Sequence, residues 1–354
     1  MRKRALVIAA GRGTYNKSEL GYLYKHHSDR LEFISMIDEY RSSQNQVTIT
    51  DLDQAPAYSI KTHTRGDNAS PLIYACAYGD YMSIDQDKFD IVAITGNSMG
   101  WYIALGCGGA LSELSTLRLI NTMGTMMQSE LIGGQLIYPI MDDNWRIIDG
   151  KREEIMQIIN KCGAYISIEL GGFIVFGGSD KTIKALHKRL PSVQERFPLI
   201  LPNHAAFHTP LQKPISDKAL DIFKSDMFGS PHIPLIDGRG HIWRSHATDN
   251  KAIYDYTLAH QVCEYYDFTR AVHVGMKEFA PDCIIILGAG TTLGGAVAQS
   301  LIQINWDGLS CKKDFTKRQE SDNPIIYAMG IDEQRENVMI RNSGKKSWLN
   351  RPKI

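Results

Sequence analysis

The strongest constraint on the fold is a set of three apolar runs, each of which leads into glycine. They lie at residues 5–10, 90–96 and 282–288, and the first is followed directly by the sequence Gly-Arg-Gly at 11–13. Continuous apolar runs, without alternation, are typical of strands that are buried on both faces. Helical stretches separate the runs, and strands that alternate with helices predict an α/β fold with a mainly parallel sheet.

The middle of the chain predicts a second, smaller unit. Residues 131–197 combine strand-like segments (135–140, 164–168, 172–176) with helical segments (151–162, 181–189). A β-α-β-β-α order is typical of a ferredoxin-like α+β unit. We therefore expect a large subdomain from residues 1–130 and 198–305, with a ferredoxin-like subdomain inserted at 131–197. Residues 306–354 are polar and charged, and we expect them to form a solvent-exposed extension.

Composition excludes several classes of function. Lys+Arg and Asp+Glu are both 39, so the formal net charge is zero and predicts no nucleic-acid partner. No stretch approaches the roughly 20 apolar residues of a membrane span, and the apolar run behind the basic N-terminus is too short for a signal peptide. The six cysteines are scattered, without a C-x-x-C pair, which predicts reduced thiols and a cytoplasmic protein.

Ser98 is the candidate nucleophile. It lies at the centre of Gly-Asn-Ser-Met-Gly (96–100), a G-x-S-x-G sequence between a predicted strand and a small, apolar helical stretch. In the sharp turn that exposes such a serine, side chains two residues on either side would clash, which explains both glycines. The following helix directs its N-terminal dipole at the serine, and the Met99 amide would donate to an oxyanion. A glycine-rich turn with an inert serine is the alternative interpretation.

A serine hydroxyl needs a base to remove its proton, and the chain has 11 histidines to choose from. The stretch N-H-A-A-F-H-T-P-L at 203–211 resembles the A-F-H-S-P-L segment of acyl-carrier-protein transacylases and polyketide acyltransferase domains. Four more stretches match motifs of that family in the same order: 11–13 (G-Q-G), 96–100 (G-H-S-x-G), 123–128 (R-G-x-x-M-Q) and 287–293 (I-G-P-G-x-x-L). Over about residues 5 to 300, the chain is thereby identified as a divergent member of the malonyl-CoA:acyl-carrier-protein transacylase family.

The resemblance implies an α/β-hydrolase-like large subdomain and a set of catalytic groups. Ser98 becomes the nucleophile and His208 its general base, with His204 as the nearest competitor for that role. The family's oxyanion donors map to the backbone amides of Met99 and Arg12. A glutamine carbonyl orients the histidine in the family, and the matching stretch, 261–270, places Asp267 there instead. A carboxylate can also orient an imidazole, so we expect Asp267 to be the third catalytic residue.

Four departures from the family pattern concern the substrate. Met123 stands where the family has the arginine that binds a malonyl carboxylate, and a carboxylate beside methionine would be unpaired. We therefore expect an acyl group without a free carboxylate, unless the side chain of Arg12 takes over. Ser70 replaces a family glutamine. In the elbow, Asn97 replaces histidine and Trp101 replaces glutamate, and we expect both to line the substrate pocket.

The resemblance predicts an acyltransferase of fatty acid or polyketide biosynthesis. Coenzyme A or a carrier-protein thioester would donate the acyl group to Ser98, and an acyl carrier protein would accept it. No metal and no permanently bound cofactor are needed, since acyl-CoA or acyl-phosphopantetheine is the substrate. One alternative is a hydrolase that passes the acyl group to water, and another is a silent homologue that docks carrier proteins. A lipid hydrolase of patatin type fits the elbow and Asp237-Gly238 but leaves the 203–211 segment unexplained.

Overall fold

The computed structural model describes residues 2–340, and its larger unit is built on a six-stranded sheet. In spatial order β11-β10-β1-β2-β7-β8, all neighbours are parallel except β7 and β8, which are antiparallel. The strands are β1 (Lys3–Ala9), β2 (Phe89–Gly96), β7 (Leu235–Ile236), β8 (Ile242–Trp243), β10 (Cys283–Ile286) and β11 (Ile326–Ala328). The three predicted apolar runs are therefore the three central strands, and the α/β class is confirmed.

Helices cover both faces of this sheet and connect its strands, as the continuous apolar strands require. No helix within residues 2–340 is both long and apolar enough to cross a membrane. The helices are α1 (Tyr22–His27), α2 (Leu31–Ser43), α3 (Ile49–Asp53), α4 (Ile60–His63), α5 (Gly66–Met82), α6 (Gly100–Cys107), α7 (Glu113–Glu130), α8 (Lys151–Cys162), α9 (Asp180–Arg189), α10 (Lys213–Ile222), α11 (Asn250–Asp255), α12 (Gln261–Cys263), α13 (Phe268–Phe279), α14 (Leu293–Gln303), α15 (Lys312–Gln319) and α16 (Asp332–Val338). A π-helical turn, Tyr256–His260, joins α11 to α12.

The smaller unit has the ferredoxin-like arrangement that the middle of the sequence predicts. Its strands are β3 (Gly134–Pro139), β4 (Tyr165–Leu170), β5 (Phe173–Gly178), β6 (Leu199–Ile200) and β9 (Tyr266–Asp267), in the spatial order β6-β3-β5-β4-β9. The first four are antiparallel neighbours and, with α8 and α9, complete a β-α-β-β-α-β unit. This unit has a hydrophobic core of its own, formed between β3, β5, α8 and α9. Strand β9 adds a parallel edge from the larger unit.

The segment from 306 to 340 is not the solvent-exposed extension that its composition suggested. Strand β11 pairs in parallel with β10 and its three residues are buried. Helix α16 places the Arg335 guanidinium against Asp80 at the end of α5, and both side chains are buried. An apolar edge strand and a buried ion pair explain why this polar-looking segment packs on the sheet. Residues 341–354 of the predicted extension lie outside the described residues.

Candidate active site

The turn between β2 and α6 holds Ser98 at the carboxyl edge of the sheet. Ser98 has φ +55°, the left-handed region that L-residues avoid, as the strained elbow requires. A Cβ atom on Gly96 would lie 2.1 Å from the backbone of Gly100, and one on Gly100 would lie 2.3 Å from the Ala9 carbonyl oxygen. Both glycines are therefore needed for close backbone approach, for the reason the sequence suggested.

His208 is the histidine that meets Ser98. Its Nε2 lies 2.7 Å from the Ser98 Oγ, and its backbone also has φ +55°. On the other side of the ring, Nδ1 lies 2.5 Å from the backbone carbonyl oxygen of Gln261. A carbonyl only accepts hydrogen bonds, so Nδ1 carries the proton and Nε2 is left to accept from the serine hydroxyl. The imidazole is therefore held in the tautomer that a general base needs.

Burial keeps this imidazole neutral. The pKa of His208 is lowered from 6.5 to about 4, chiefly because burial disfavours the imidazolium. The hydrogen bond to the Gln261 carbonyl acts in the opposite direction, since it stabilises the charged ring. His208 can therefore accept a proton throughout the neutral pH range.

Asp267 is not part of this arrangement, and its predicted role as third catalytic residue is wrong. Its carboxylate accepts from the backbone N–H of Arg270 at 2.8 Å and caps the start of α13. The Nδ1 partner of His208 is the Gln261 carbonyl instead. Gln261 begins α12, which is only three residues long, so its carbonyl is one of the terminal carbonyls that have no intrahelical partner.

His204, the competing base, lies in a separate hydrogen-bond network. Its Nδ1 is 2.8 Å from the Gln135 Oε1, while Gln135 donates from Nε2 to Ser167. Burial lowers the pKa of His204 well below its usual value, and the positive charge of Arg12 lowers it further. The geometry thus selects His208 over His204 as the partner of Ser98.

Two backbone amides, those of Met99 and Arg12, are the predicted oxyanion donors. Met99 immediately precedes α6, so its N–H lies at the positive end of the helix dipole. Arg12 lies in the loop that follows β1, the strand next to β2. Across residues 2–340, neither amide donates a hydrogen bond to another protein group. The assignment of both as oxyanion donors stays a prediction.

A mainly apolar pocket opens beside Ser98. Both Ser70 and Met123 line it, as the sequence predicted for substrate contacts. Its other lining residues, most of which the sequence did not single out as pocket residues, are Arg12, Ser98, Met99, Tyr102, Ile120, Gly124, Met127, Phe207, His208, Gln261 and Val262. Three methionines give the wall an adaptable shape.

Asn97 and Trp101 do not line the pocket, so their predicted substrate contacts are wrong. The Trp101 side chain is fully buried in the core, donates from Nε1 to the Thr257 hydroxyl at 3.0 Å and packs edge-on against Tyr256. Asn97 holds the elbow through its backbone, since its N–H donates to Ala9 and its carbonyl accepts from Gly100. Helix α6 is buried along its whole length, which leaves Trp101 no path to the substrate.

The Arg12 side chain forms part of the pocket wall. Its Nη2 donates to the carbonyl oxygens of Thr64 (2.8 Å) and Asn203 (2.9 Å), and its guanidinium lies over the Phe207 ring. Its Nε is buried and has no hydrogen-bond partner within the part of the chain that the structure describes. Burial lowers the pKa of Arg12 to about 10, so the side chain stays charged at neutral pH.

Comparisons with known proteins give a partial match in sequence and a nearly full-length match in structure. No family model matches the chain. A stretch of 145 residues is 24% identical to the malonyl CoA-acyl carrier protein transacylase of Buchnera aphidicola subsp. Schizaphis graminum, and it covers 41% of this chain and 46% of that protein. The matched stretch therefore spans about half the length of the curated relative.

Solved structures extend the likeness to nearly the whole chain. The malonyl-CoA:ACP transacylase of Synechocystis sp. PCC 6803 matches with a TM-score of 0.74 and 14% identity, over 95% of this chain and 100% of that one. A malonyl-transacylase in complex with its type II PKS acyl-carrier protein matches with a TM-score of 0.68 and 16% identity, over 95% and 99%. At these identities the likeness establishes the fold.

Proposed function

We propose that this chain, a divergent relative of the malonyl-CoA:acyl carrier protein transacylases, transfers an acyl group through an ester on Ser98. The single observation that carries the proposal is the 2.7 Å contact between the Ser98 Oγ and the His208 Nε2, with Nδ1 bound to a carbonyl. A serine paired with a neutral, oriented imidazole is an activated nucleophile. A silent docking homologue would have no need of this pair.

The first half-reaction forms the acyl-enzyme. His208 takes the Ser98 proton while Oγ bonds to the thioester carbonyl carbon, and the amides of Met99 and Arg12 hold the resulting oxyanion. When the tetrahedral intermediate collapses, the carbon–sulfur bond breaks and His208 returns the proton to the leaving thiolate. The products are a free thiol and an acyl ester on Ser98.

The second half-reaction reverses these roles with a new thiol. His208 takes the proton of the incoming thiol, whose sulfur bonds to the ester carbonyl carbon. The ester carbon–oxygen bond then breaks, and the Ser98 oxygen takes the proton back. We propose that the thiol is the phosphopantetheine arm of an acyl carrier protein, because the Buchnera relative is named for that acceptor and a structural neighbour was solved with one. The chemistry needs no metal and no permanently bound cofactor.

The pocket wall supports an acyl group without a free carboxylate. Met123 is buried in the wall and offers neither charge nor a hydrogen-bond donor. With Ile120 and Met127 on the same wall, it makes a surface that an alkyl chain would fill and that would leave a carboxylate unpaired.

One observation favours a second candidate, a dicarboxylic acyl group. Arg12 lies on the wall of the same pocket, and its buried Nε is without a hydrogen-bond partner among the described residues. An unpaired charge is costly to bury, so a ligand carboxylate would be a natural counter-ion. Against this, Nη2 is held by two carbonyls, which fixes the guanidinium over Phe207. We rank the neutral acyl group first.

Intact-protein mass spectrometry tests both the ester and its acyl group. The protein and its Ser98→Ala variant are mixed separately with acetyl-, hexanoyl-, palmitoyl- and malonyl-CoA. We expect the mass of one neutral acyl group on the native chain and none on the variant. Preferential loading of malonyl would overturn the neutral acyl group in favour of the Arg12 candidate. Equal loading of the Ser98→Ala variant would overturn the ester mechanism. Continued thiol release beyond one equivalent per chain, with no acceptor present, would identify a hydrolase.

A further inference from the structure

Gln261 contacts both members of the Ser98–His208 pair, but with different groups. Its backbone carbonyl accepts from His208 Nδ1, as described above. Its side-chain Nε2 donates to the backbone carbonyl oxygen of Ser98 at 3.1 Å. Gln261 is itself buried, so these contacts are shielded from water. One residue therefore links the nucleophile and the base through two separate hydrogen bonds.

Tyr102, on the helix that follows the nucleophile, holds the side chain of Gln261 in place. Its hydroxyl donates to the Gln261 Oε1 at 2.9 Å, and it lies four residues after Ser98 on α6. The Ser98 carbonyl can only accept, so the amide of Gln261 must turn its NH₂ group toward it. The oxygen of the amide then needs a donor, which the Tyr102 hydroxyl supplies. The orientation of the amide is thus fixed from both sides.

The bond to the Ser98 carbonyl helps to fix the peptide group that joins Ser98 to Met99. Ser98 has a positive φ, and its carbonyl also accepts from the Trp101 N–H at 3.0 Å. Two donors therefore hold the peptide group that follows the nucleophile and is shared with Met99. The N–H of that same peptide group belongs to Met99 and is the proposed oxyanion donor. A movement of this plane would shift both Oγ and the oxyanion donor.

We infer that the Gln261 side chain is a positioning residue that sets the Ser98 peptide relative to His208, with Tyr102 fixing its amide. The inference rests on the proposed function, since it assigns a role within the same reaction. Gln261 touches no reacting atom with its side chain, and it acts through Ser98. Losing the side-chain link leaves the backbone carbonyl in place, so the tautomer of His208 is kept while the nucleophile shifts.

The test uses a small alkyl fluorophosphonate, which needs no knowledge of the natural acyl group. Ser98 Oγ bonds to phosphorus, fluoride leaves, and His208 takes the serine proton. Gln261→Met keeps the side chain's length and removes both of its hydrogen bonds. We expect the limiting labelling rate to fall about 10- to 100-fold, as misplacement of a reacting group does, while the reagent concentration for half-maximal rate stays unchanged.

Tyr102→Phe and a double variant separate positioning from simple packing. Phenylalanine removes only the hydroxyl, so we expect a smaller fall in labelling rate. In the Gln261→Met background, Tyr102→Phe should change the rate no further, because the amide that it orients is gone. Gln299→Met is the matched control. Gln299 is also a buried glutamine, and its Oε1 accepts from the Gly172 N–H instead of from a group that contacts Ser98 or His208. It should label like the native protein.

Three results would overturn the inference. One is a native labelling rate in Gln261→Met, and another is a further rate loss when Tyr102→Phe is added to it. The third is a loss in Gln299→Met as large as that in Gln261→Met, which would assign the effect to general stability. Failure of the proposed function has a different signature, because the native chain would then label no faster than Ser98→Ala.

Discussion

Ser98 and His208 meet at 2.7 Å, and both backbones have φ +55°. Each of these residues thus adopts a left-handed conformation that costs on the order of 1–3 kcal/mol. Such conformations persist only when the surroundings enforce them. The conformation of Ser98 is enforced by the close backbone approach at Gly96 and Gly100. That of His208 is enforced by the carbonyl of Gln261, which accepts from its ring, and by the carbonyl of Val262, which accepts from its backbone N–H. The catalytic geometry is therefore a product of the backbone more than of the two side chains.

The glycine that follows Ser98 by two residues gives the first prediction. Gly100→Ala would bring a Cβ atom to 2.3 Å from the Ala9 carbonyl oxygen, so the elbow must move away from β1. We expect loss of Ser98 labelling by a fluorophosphonate and a lower melting temperature. Gly294→Ala is the control, since a Cβ there meets nothing within 4 Å. It lies in α14, where alanine stabilises a helix by roughly 0.5–1 kcal/mol over glycine. Equal labelling of both variants would contradict the prediction.

The pH dependence follows from the buried imidazole. His208 has a pKa lowered to about 4, and only its neutral form can take the serine proton. We expect the labelling rate to rise with pH through a midpoint near 4 and to stay level from there to neutral pH. A midpoint at the ordinary value of 6.5 would show that the ring is solvated in solution. Labelling rates measured in overlapping buffers from pH 3 to 8 decide between the two.

The same lowered pKa makes a prediction about stability. The unfolded chain takes up a proton on this histidine below about pH 6.5 and the folded chain only below about 4, so the unfolded state binds more protons between these values. The stabilisation is therefore complete above pH 6.5 and is lost as the pH falls toward 4, by about 1.4 kcal/mol per pH unit. Urea unfolding at several pH values measures the free energy of unfolding of the native chain and of His208→Gln. Between pH 6.5 and 4 we expect this free energy to fall more steeply in the native chain than in the variant. Equal slopes in the two proteins would contradict the prediction.

The part of the site that sequence predicts best is the part fixed by local sterics. Glycines at 96 and 100 mark the elbow because only they tolerate the backbone approach, and continuous apolar runs mark the strands that bring the loops together. The order of family motifs then selects His208 among 11 histidines. These signals survive divergence because each depends on a residue type.

Other features left no such signal. The partner of His208 Nδ1 is a backbone carbonyl, which any residue type at 261 could supply and which therefore leaves no signal in the sequence. The match to the family's glutamine carbonyl put Asp267 in that place instead. Trp101 was misjudged because proximity in sequence to Ser98 suggested proximity to substrate, whereas the helix after the elbow is apolar on every side and buries it. The packing of residues 306–340 depends on a three-residue edge strand and on contacts between distant parts of the chain.

Substitution of Asp267 tests whether this residue is outside the catalytic set. Asp267→Ala removes the carboxylate that caps α13, and loss of such a cap costs about 1 kcal/mol of unfolding free energy. Because the carboxylate does not contact His208, we expect the labelling rate of Ser98 and its pH midpoint to be unchanged. A fall in labelling comparable to that of His208→Gln would restore Asp267 to the catalytic set. Urea unfolding and labelling on the same samples measure both quantities.

A single substitution on the pocket wall should change which acyl group is loaded. Met123→Arg introduces a charged donor on that wall, and a charge-assisted hydrogen bond contributes about 1.5–3 kcal/mol, or roughly 10- to 100-fold in malonyl loading relative to hexanoyl. Arg12→Met keeps the backbone amide of residue 12 and removes the guanidinium. If the acyl group is neutral, hexanoyl loading should survive in Arg12→Met. Strong malonyl loading of the native chain that disappears in Arg12→Met would instead assign carboxylate recognition to Arg12.

The last prediction concerns the buried pair that joins the C-terminal part of the described chain to the sheet. Asp80 is fully buried, and its carboxylate contacts Arg335, the Tyr22 hydroxyl, the Gly288 N–H and the His27 Nε2 at 3.0 Å. Burial alone would raise the pKa of Asp80, but the hydrogen bond with His27, the charge of Arg335 and the Gly288 N–H together keep it below its usual value. Arg335→Met would remove the arginine charge from this carboxylate and leave it to His27 and the two neutral donors, and breaking a buried pair in this way costs about 3–5 kcal/mol.

The surface pair of Arg318 with Asp307 is the matched control, because exposed pairs contribute only about 0–1 kcal/mol. Arg318→Met should therefore unfold in urea almost as the native chain does, while Arg335→Met unfolds at a clearly lower midpoint. Gly288, which donates to Asp80, lies two residues after the end of β10, at the carboxyl edge of the sheet where Ser98 also lies. A loss of stability without loss of Ser98 labelling in the folded fraction would show that the pair anchors the C-terminal segment and leaves the catalytic edge intact. Equal midpoints for the two variants would mean that the Asp80 carboxylate is compensated by its remaining donors.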